Sequence, residues 1–317
     1  VVKRCLLLAV GLAIFGWMVW QAGPAQLWHN LLDWNWTLLA CIAVWAVGYA
    51  LNAMSFRQVM RCVMSDESLA ATDLNRTLRL TIGGYALNYV TPFGLLGGEP
   101  WRIVRLRKVT DPTSANSAVV YYAMMHVGSH IVFWLVALAY AFVQMRPMLH
   151  SAVGDGVDWA VVTGIVLLIV AVVCIAGRIA VRKGWIGSLR RLLADHPWRF
   201  AVALLLELAS RMVNVAEYWL LLGVTFPDSV LATYGAAFLV VAFSSLFANA
   251  LFFSPLQIGT REGGILLALQ AFLPSLTLAG LLPAAVSISF ATRIREFFWI
   301  LVGMLLIFIE QRKKSSK

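Results

Sequence analysis

Two stretches of this sequence, TPFGLLGGEPWR and SPLQIGTREGG, interrupt long apolar runs with one spacing: Pro92 precedes Glu99, and Pro255 precedes Glu262, by seven residues each. An apolar helix does not continue undisturbed through either stretch. Proline removes a backbone donor, glycine weakens the helix, and a glutamate in hydrocarbon is expensive. Irregular backbone at membrane depth persists only where it is buried in protein or lines a cavity. Repeating all three features in opposite halves of one chain therefore predicts paired broken helices around a polar site.

Composition sets the surroundings of those breaks. Hydrophobic residues make up 61% of the 317 positions and charged residues 13%, against about 25% charged in a soluble domain. Mean hydropathy is +0.81. The expectation is an all-α polytopic membrane protein, because helices satisfy their own backbone groups in lipid, with residues 1–317 forming a single integral membrane domain. The net charge of +10 does not point to nucleic acid, since the basic residues lie in short clusters between apolar spans. Cys5, Cys41, Cys62 and Cys174 are scattered, without disulfide or metal-ligand spacing. Lys3 and Arg4 ahead of CLLLAVGLAIFGWMVW also fit a signal peptide, but Trp17 and Trp20 suit the interfacial belt of a retained first helix.

Hydropathy places full spans near 5–22, 36–56, 114–145, 159–177, 200–223 and 277–310, with interrupted segments near 80–100 and 232–273. With six full crossings, twenty of the 25 lysines and arginines fall on one side and only Arg146 in an outer loop. Both termini are then cytoplasmic, in a bacterial inner membrane. Segment 80–100 has Arg76 and Arg79 before it and Arg102 to Lys108 after it, so it enters and returns as a re-entrant hairpin turning at Asn88 to Gly98. Segment 232–273 dips from the opposite face, although 231–253 is long enough to cross fully. The order is span, span, hairpin, span in residues 1–146, and again in 147–317. That is an inverted-topology repeat, and it brings the hairpin tips with Glu99 and Glu262 together near the midplane.

The motif NYVTPFGLLGGEPWR, with Asn88, Pro92, Gly97, Gly98, Glu99 and Arg102, resembles the first signature of the lysylphosphatidylglycerol synthase transmembrane, flippase-like family. SPLQIGTREGG, with Pro255, Gly259, Glu262 and Gly263, resembles the second, and Arg293 matches a basic position in the last span. The resemblance covers essentially the whole chain. It implies an inverted repeat with two re-entrant helices that moves a lipid between leaflets. Full-length synthases also carry a cytoplasmic aminoacyl transferase domain, whereas this sequence stops at IEQRKKSSK. A stand-alone member without lipid aminoacylation is expected.

Each candidate residue has a plainer reading beside the functional one. Glu99 and Glu262 handle cargo or protons, or they cap the helices that follow the glycine-rich turns. Arg261 is a structural partner for the adjacent Glu262. Arg102 binds lipid phosphate at the cytoplasmic mouth or anchors the interface. Glu207, Arg211, Asn214 and Glu217 share one helical stripe that must face protein or a wet cavity; Glu207 and Arg211 form an i,i+4 ion pair or line that cavity. Arg293 is the better phosphate ligand of the last span, while Arg295 and Glu296 face the hairpin. His126 and His130 lie one turn apart, as a proton relay with Glu207 and Glu217, as polar packing, or as two metal ligands lacking a signature. Trp28, Trp34 and Trp36 read as an interfacial belt.

Three function classes follow. The first is a lipid flippase or carrier moving a phospholipid or lipid-linked head group through a polar midplane cavity. The second is an ion- or proton-coupled transporter of a small solute. The third is a membrane enzyme acting on lipid head groups, which lacks a nucleophile constellation, a phosphate-cradling loop and a metal cluster. The expected partner is the membrane lipid itself, with a homodimer as an open possibility. No cofactor and no nucleic acid are expected.

Overall fold

The structure, a computed structural model, describes residues 34–90, 97–152, 193–250, 257, 259–273 and 275–315, with isolated positions 20, 25, 28, 29, 32, 178 and 187. The expected spans 5–22 and 159–177, apart from Trp20, lie outside the described residues, as do Pro92 and Pro255.

Regular structure among the described residues is helical. The elements are α1 (Asn35–Val63), α2 (Asp66–Ala70), α3 (Leu74–Val90), α4 (Gly98–Leu106), α5 (Pro112–Ala152), α6 (Pro197–Thr225), a 3₁₀ turn (Val230–Ala232), α7 (Tyr234–Ala250), α8 (Thr260–Phe272) and α9 (Leu278–Ser315). Local chemistry fixes several ends. Ser65 caps α2 by accepting from the Ser68 N–H, and Pro197 opens α6 where its missing N–H costs nothing. Asp111 accepts from the Thr113 and Ser114 N–H groups at 2.9 Å each, capping α5. The hydrogen bonds from Ser114 hold its carboxyl below the usual carboxylate range. Both interrupted segments are broken as expected, into α3 and α4 and into α7 and α8.

The most extensive contact is between α1 and α6. They run antiparallel: Ser55 Oγ donates to the Ala203 carbonyl at 3.0 Å, Ser210 Oγ to the Gly48 carbonyl at 3.3 Å, and Trp45 Nε1 to Glu217 Oε2 at 2.5 Å. Around this pair, α3 packs on α4 and α9, and α7 on α8 and α5; α4 lies on α5, and α8 on α9. Each broken pair closes on a glycine. A Cβ on Gly98 would lie 2.1 Å from the Gly84 carbonyl oxygen, and one on Gly264 2.8 Å from the Ser244 Cα.

Two apolar cores occupy opposite ends of the bundle. One gathers Phe56, Met60, Leu80, Leu106, Val119 and Phe200. The other gathers Phe133, Leu221, Leu222, Leu239, Ile265 and Ile288. The polar side chains described below lie between them along the sequences of α1, α5 and α6.

Outward faces are apolar as well. Phe297, Leu301, Leu305 and Phe308 form an exposed strip on α9, and Leu205 and Trp219 stand out from α6. Among the described residues, Trp36–Val63 and Pro112–Ala141 are long and apolar enough to cross a membrane, and only 28% and 22% of their apolar windows are buried in protein. α6 and α9 reach 29 and 38 residues but carry charged side chains at mid-length. The proposed tryptophan belt needs one correction. Trp34 is 2% exposed and belongs to a core, whereas Trp28 and Trp36 are 65% and 76% exposed.

Candidate functional site

Between the two cores lies a cavity of about 200 Å³, walled by α1, α3, α5, α6, α7, α8 and α9. The room one water needs is about 10–15 Å³ in the same measure. Its walls combine aromatic faces (Trp45, Tyr49, Tyr85, Tyr89) with both signs of charge. The charged groups are Arg211, Arg261 and Arg295 against Glu207 and Glu296.

One end is built where α5 meets α6. His126 Nδ1 lies 2.7 Å from Glu207 Oε2, with the Tyr85 hydroxyl at 3.2 Å from the same nitrogen. Arg211 reaches back onto α5. It donates to Ser129 Oγ from Nε at 3.0 Å and from Nη2 at 2.6 Å, to the His126 carbonyl at 2.9 Å, and to His130 Nε2 at 2.9 Å. Glu207 stands at 4.0 Å from Arg211, so its close partner is the histidine one helix away. The i,i+4 ion pair expected from sequence is the weaker of its two contacts.

The other end joins α6, α8 and α9. Arg295 grips Glu217 with two donors, and its guanidinium stacks 3.9 Å from the Trp45 ring centroid. Arg261, in the first turn of α8, donates to Glu296 Oε1 at 2.6 Å and to Gln257 Oε1 at 2.8 Å. This corrects the partner expected for Arg261, which is not the adjacent Glu262. Successive helical residues point about 100° apart, so Arg261 and Glu262 leave α8 in different directions. Glu296 faces the second broken pair through Arg261, as expected, whereas Arg295, expected to face a hairpin, turns to Glu217 on α6 and Trp45 on α1.

The signature carboxylates sit behind the cavity wall. Glu262 is fully buried. Its Oε2 accepts from the Gly259 N–H at 2.7 Å, capping α8, and its Oε1 accepts from Ser289 at 2.5 Å and Arg293 at 2.7 Å. Glu99 pairs with Arg102 at 2.6 Å. Arg102 is itself 1% exposed. It donates to the Leu80 and Thr81 carbonyls and lies over the Tyr85 and Tyr122 rings. The α4 N-terminus is capped from outside the helix, because Asn88 Oδ1 accepts from the Gly98 N–H at 2.7 Å.

Among candidates named from sequence, the cavity gathers His126, His130, Glu207, Arg211, Asn214, Arg261, Arg295 and Glu296, while Asn88, Glu99, Arg102, Glu217, Glu262 and Arg293 brace the helices around it. Asn52, Tyr49 and Tyr85, outside the two sequence motifs, also line the cavity, as does Tyr89 within the first. Their signal was a polar or hydroxyl group embedded in an apolar helix, which in lipid needs a protein or cavity partner. Among the described residues no group of three or more His, Cys, Asp or Glu side chains is placed to hold a metal ion.

The model of the family described as "Lysylphosphatidylglycerol synthase TM region" matches residues 5–304 of the 317. The chain belongs to that family. Its transmembrane character accords with the apolar outer faces, and the chain is a membrane protein with a lipid-related assignment. No curated protein and no solved structure matches it.

Proposed function

We propose that the chain is a lipid flippase or carrier that moves a phospholipid or lipid-linked head group between leaflets, without covalent chemistry, through the cavity between the two cores. The observation that carries this reading is a cavity lined by three arginines, two glutamates and five tryptophan or tyrosine rings inside helices with apolar outer faces. A bare charged head group costs several kcal/mol or more to take through hydrocarbon. A wall offering both charge signs replaces part of its hydration while the acyl chains stay in the bilayer.

The reading as an inverted repeat, 1–146 with 147–317, is supported by the packing. Exchanging α1 with α6, α3 with α7, α4 with α8 and α5 with α9 turns every major contact into another observed contact. The antiparallel α1–α6 pair, crossing where Ser210 meets Gly48, is what an axis in the membrane plane requires. Both termini on the cytoplasmic side follow from that topology and the basic clusters.

Liposomes carrying tail-labelled phospholipids test the function. Reconstituted protein should move label between leaflets well above the protein-free rate, and Arg211→Met should slow it. Movement at the protein-free rate in liposomes holding folded protein would defeat the reading.

The His126–Glu207 contact favours proton-coupled movement of a small solute as the second reading, because one proton between these groups changes the charge of the cavity wall. An imposed pH gradient should then accelerate uptake, and His126→Phe should remove that dependence. Gradient-independent rates would leave only the first reading.

A further inference from the structure

Four polar atoms on the cavity wall have no hydrogen-bond partner among the described residues: Asn52 Oδ1, Asn214 Oδ1, Glu207 Oε1 and His130 Nδ1. Asn52 and Glu207 are 4% and 1% exposed, so these are unmade bonds in a low-dielectric interior, each costing about 1–3 kcal/mol if left so. Ser55 lies within reach of the Glu207 carboxylate, but its one hydroxyl proton goes to the Ala203 carbonyl at 3.0 Å. The four atoms do not all want the same partner. Glu207 Oε1 and the two amide oxygens accept. His130 Nε2 already accepts from Arg211, which leaves the proton of a neutral imidazole on Nδ1, a donor.

That mixture discriminates between ligand chemistries. An ammonium group has only donors and answers the oxygens alone. A phosphate diester has only acceptors and answers His130 alone. A hydroxyl donates and accepts, so a group with several hydroxyls answers all four. Trp45, Tyr49 and Tyr85 on the same wall add apolar ring surface for the C–H groups of such a unit.

The two asparagines are also placed symmetrically. α1 and α6 cross at Gly48 and Ser210, and Asn52 and Asn214 each lie four residues beyond that crossing. Because the helices are antiparallel, the two amides stand about 6 Å to either side of it, at about 1.5 Å per residue. A hydroxyl released from one amide meets the same chemistry on the other side.

We propose that this cavity recognises a hydroxyl-rich, uncharged moiety, a glycosyl or glycerol unit of a membrane lipid, through Asn52, Glu207, His130 and Asn214. Its presence on a lipid being carried rests on the function proposed above; its recognition does not.

The test is lipid retention. Protein is placed in nanodiscs holding equal amounts of a glycosyl diacylglycerol, phosphatidylglycerol, phosphatidylethanolamine and phosphatidylcholine with matched acyl chains, and lipids that stay bound are identified by native mass spectrometry. One or both hydroxyl-bearing lipids should be enriched about tenfold or more over the two amine-bearing ones, equivalent to about 1.4 kcal/mol. Enrichment of the glycolipid alone assigns a sugar, and of phosphatidylglycerol alone a glycerol unit. Asn52→Leu and Asn214→Leu, checked for an unchanged melting temperature, should each abolish the preference. The wild-type comparison decides the proposal even if a variant fails to fold. Preference for an amine-bearing lipid, no preference at all with water alone in the cavity, or undiminished preference in folded Leu variants would overturn it. Retention without movement in liposomes would defeat transport and leave recognition standing; movement without hydroxyl preference would do the reverse.

Discussion

Arg295 holds Glu217 with two parallel bonds across the α6–α9 contact, Nε to Oε1 at 2.9 Å and Nη2 to Oε2 at 3.1 Å. Both residues are almost wholly buried, at 4% and 0% side-chain exposure. Trp45 completes the unit from α1, donating its indole N–H to the same carboxylate, with the Arg295 guanidinium 3.9 Å from its ring centroid. Three helices of the central bundle are thereby tied at one point beside the cavity.

Breaking that pair from one side strands a charge. Glu217→Leu or Arg295→Met should each destabilise the protein by about 3–5 kcal/mol, while the double variant should recover much of the loss, since an apolar replacement of both partners removes the stranded charge. Chemical unfolding in detergent micelles, arranged as a double-mutant cycle, checks this. Additive losses would show that the two side chains do not act as a pair.

Glu262 has every near partner supplied by protein: a helix-capping N–H, a serine hydroxyl and Arg293. Glu262→Gln keeps the shape and loses the charge, so a cost of about 2–5 kcal/mol in stability is expected. Transport, measured per folded molecule, should change far less than it does in Arg211→Met. A fully stable Glu262→Gln protein with abolished transport would make this carboxylate a working part and not a brace.

The first hairpin closes through backbone contact. Gly98→Ala drives a methyl into the Gly84 carbonyl, which cannot rotate away, and should cost about 1–3 kcal/mol. Asn88→Ala, which removes the cap on Gly98, should cost about 1 kcal/mol. Thermal melts of both variants in the same detergent decide whether the order holds.

Lys108 follows α4, and Asp228 lies in the turn after α6, beyond the second core. With native cysteines replaced, an impermeant maleimide added to intact cells should label Asp228→Cys and spare Lys108→Cys until the membrane is opened. Labelling of both from outside would reject the orientation drawn from the basic clusters.

The sequence by itself determined the class and the breaks. Apolar runs fix helices because lipid offers no partner for backbone groups. The interruptions within 80–100 and 232–273 fix where those helices stop, and α3/α4 and α7/α8 divide within these segments. The stripe Glu207, Arg211, Asn214, Glu217 fixed which face of α6 had to be covered, because periodicity along a helix is local information. Only the tertiary structure decided who partners whom. Arg261 is adjacent to Glu262 in sequence but bonds to Glu296, and Glu207 turns to His126 before Arg211. Glu99 and Glu262, the most conspicuous residues in the chain, brace the helices, while Asn52 and Tyr49, inconspicuous in an apolar run, face the cavity. Local spacing sets the direction a side chain takes from its own helix. The group it meets there depends on how several helices cross, and those crossings are settled by packing between residues far apart in the chain.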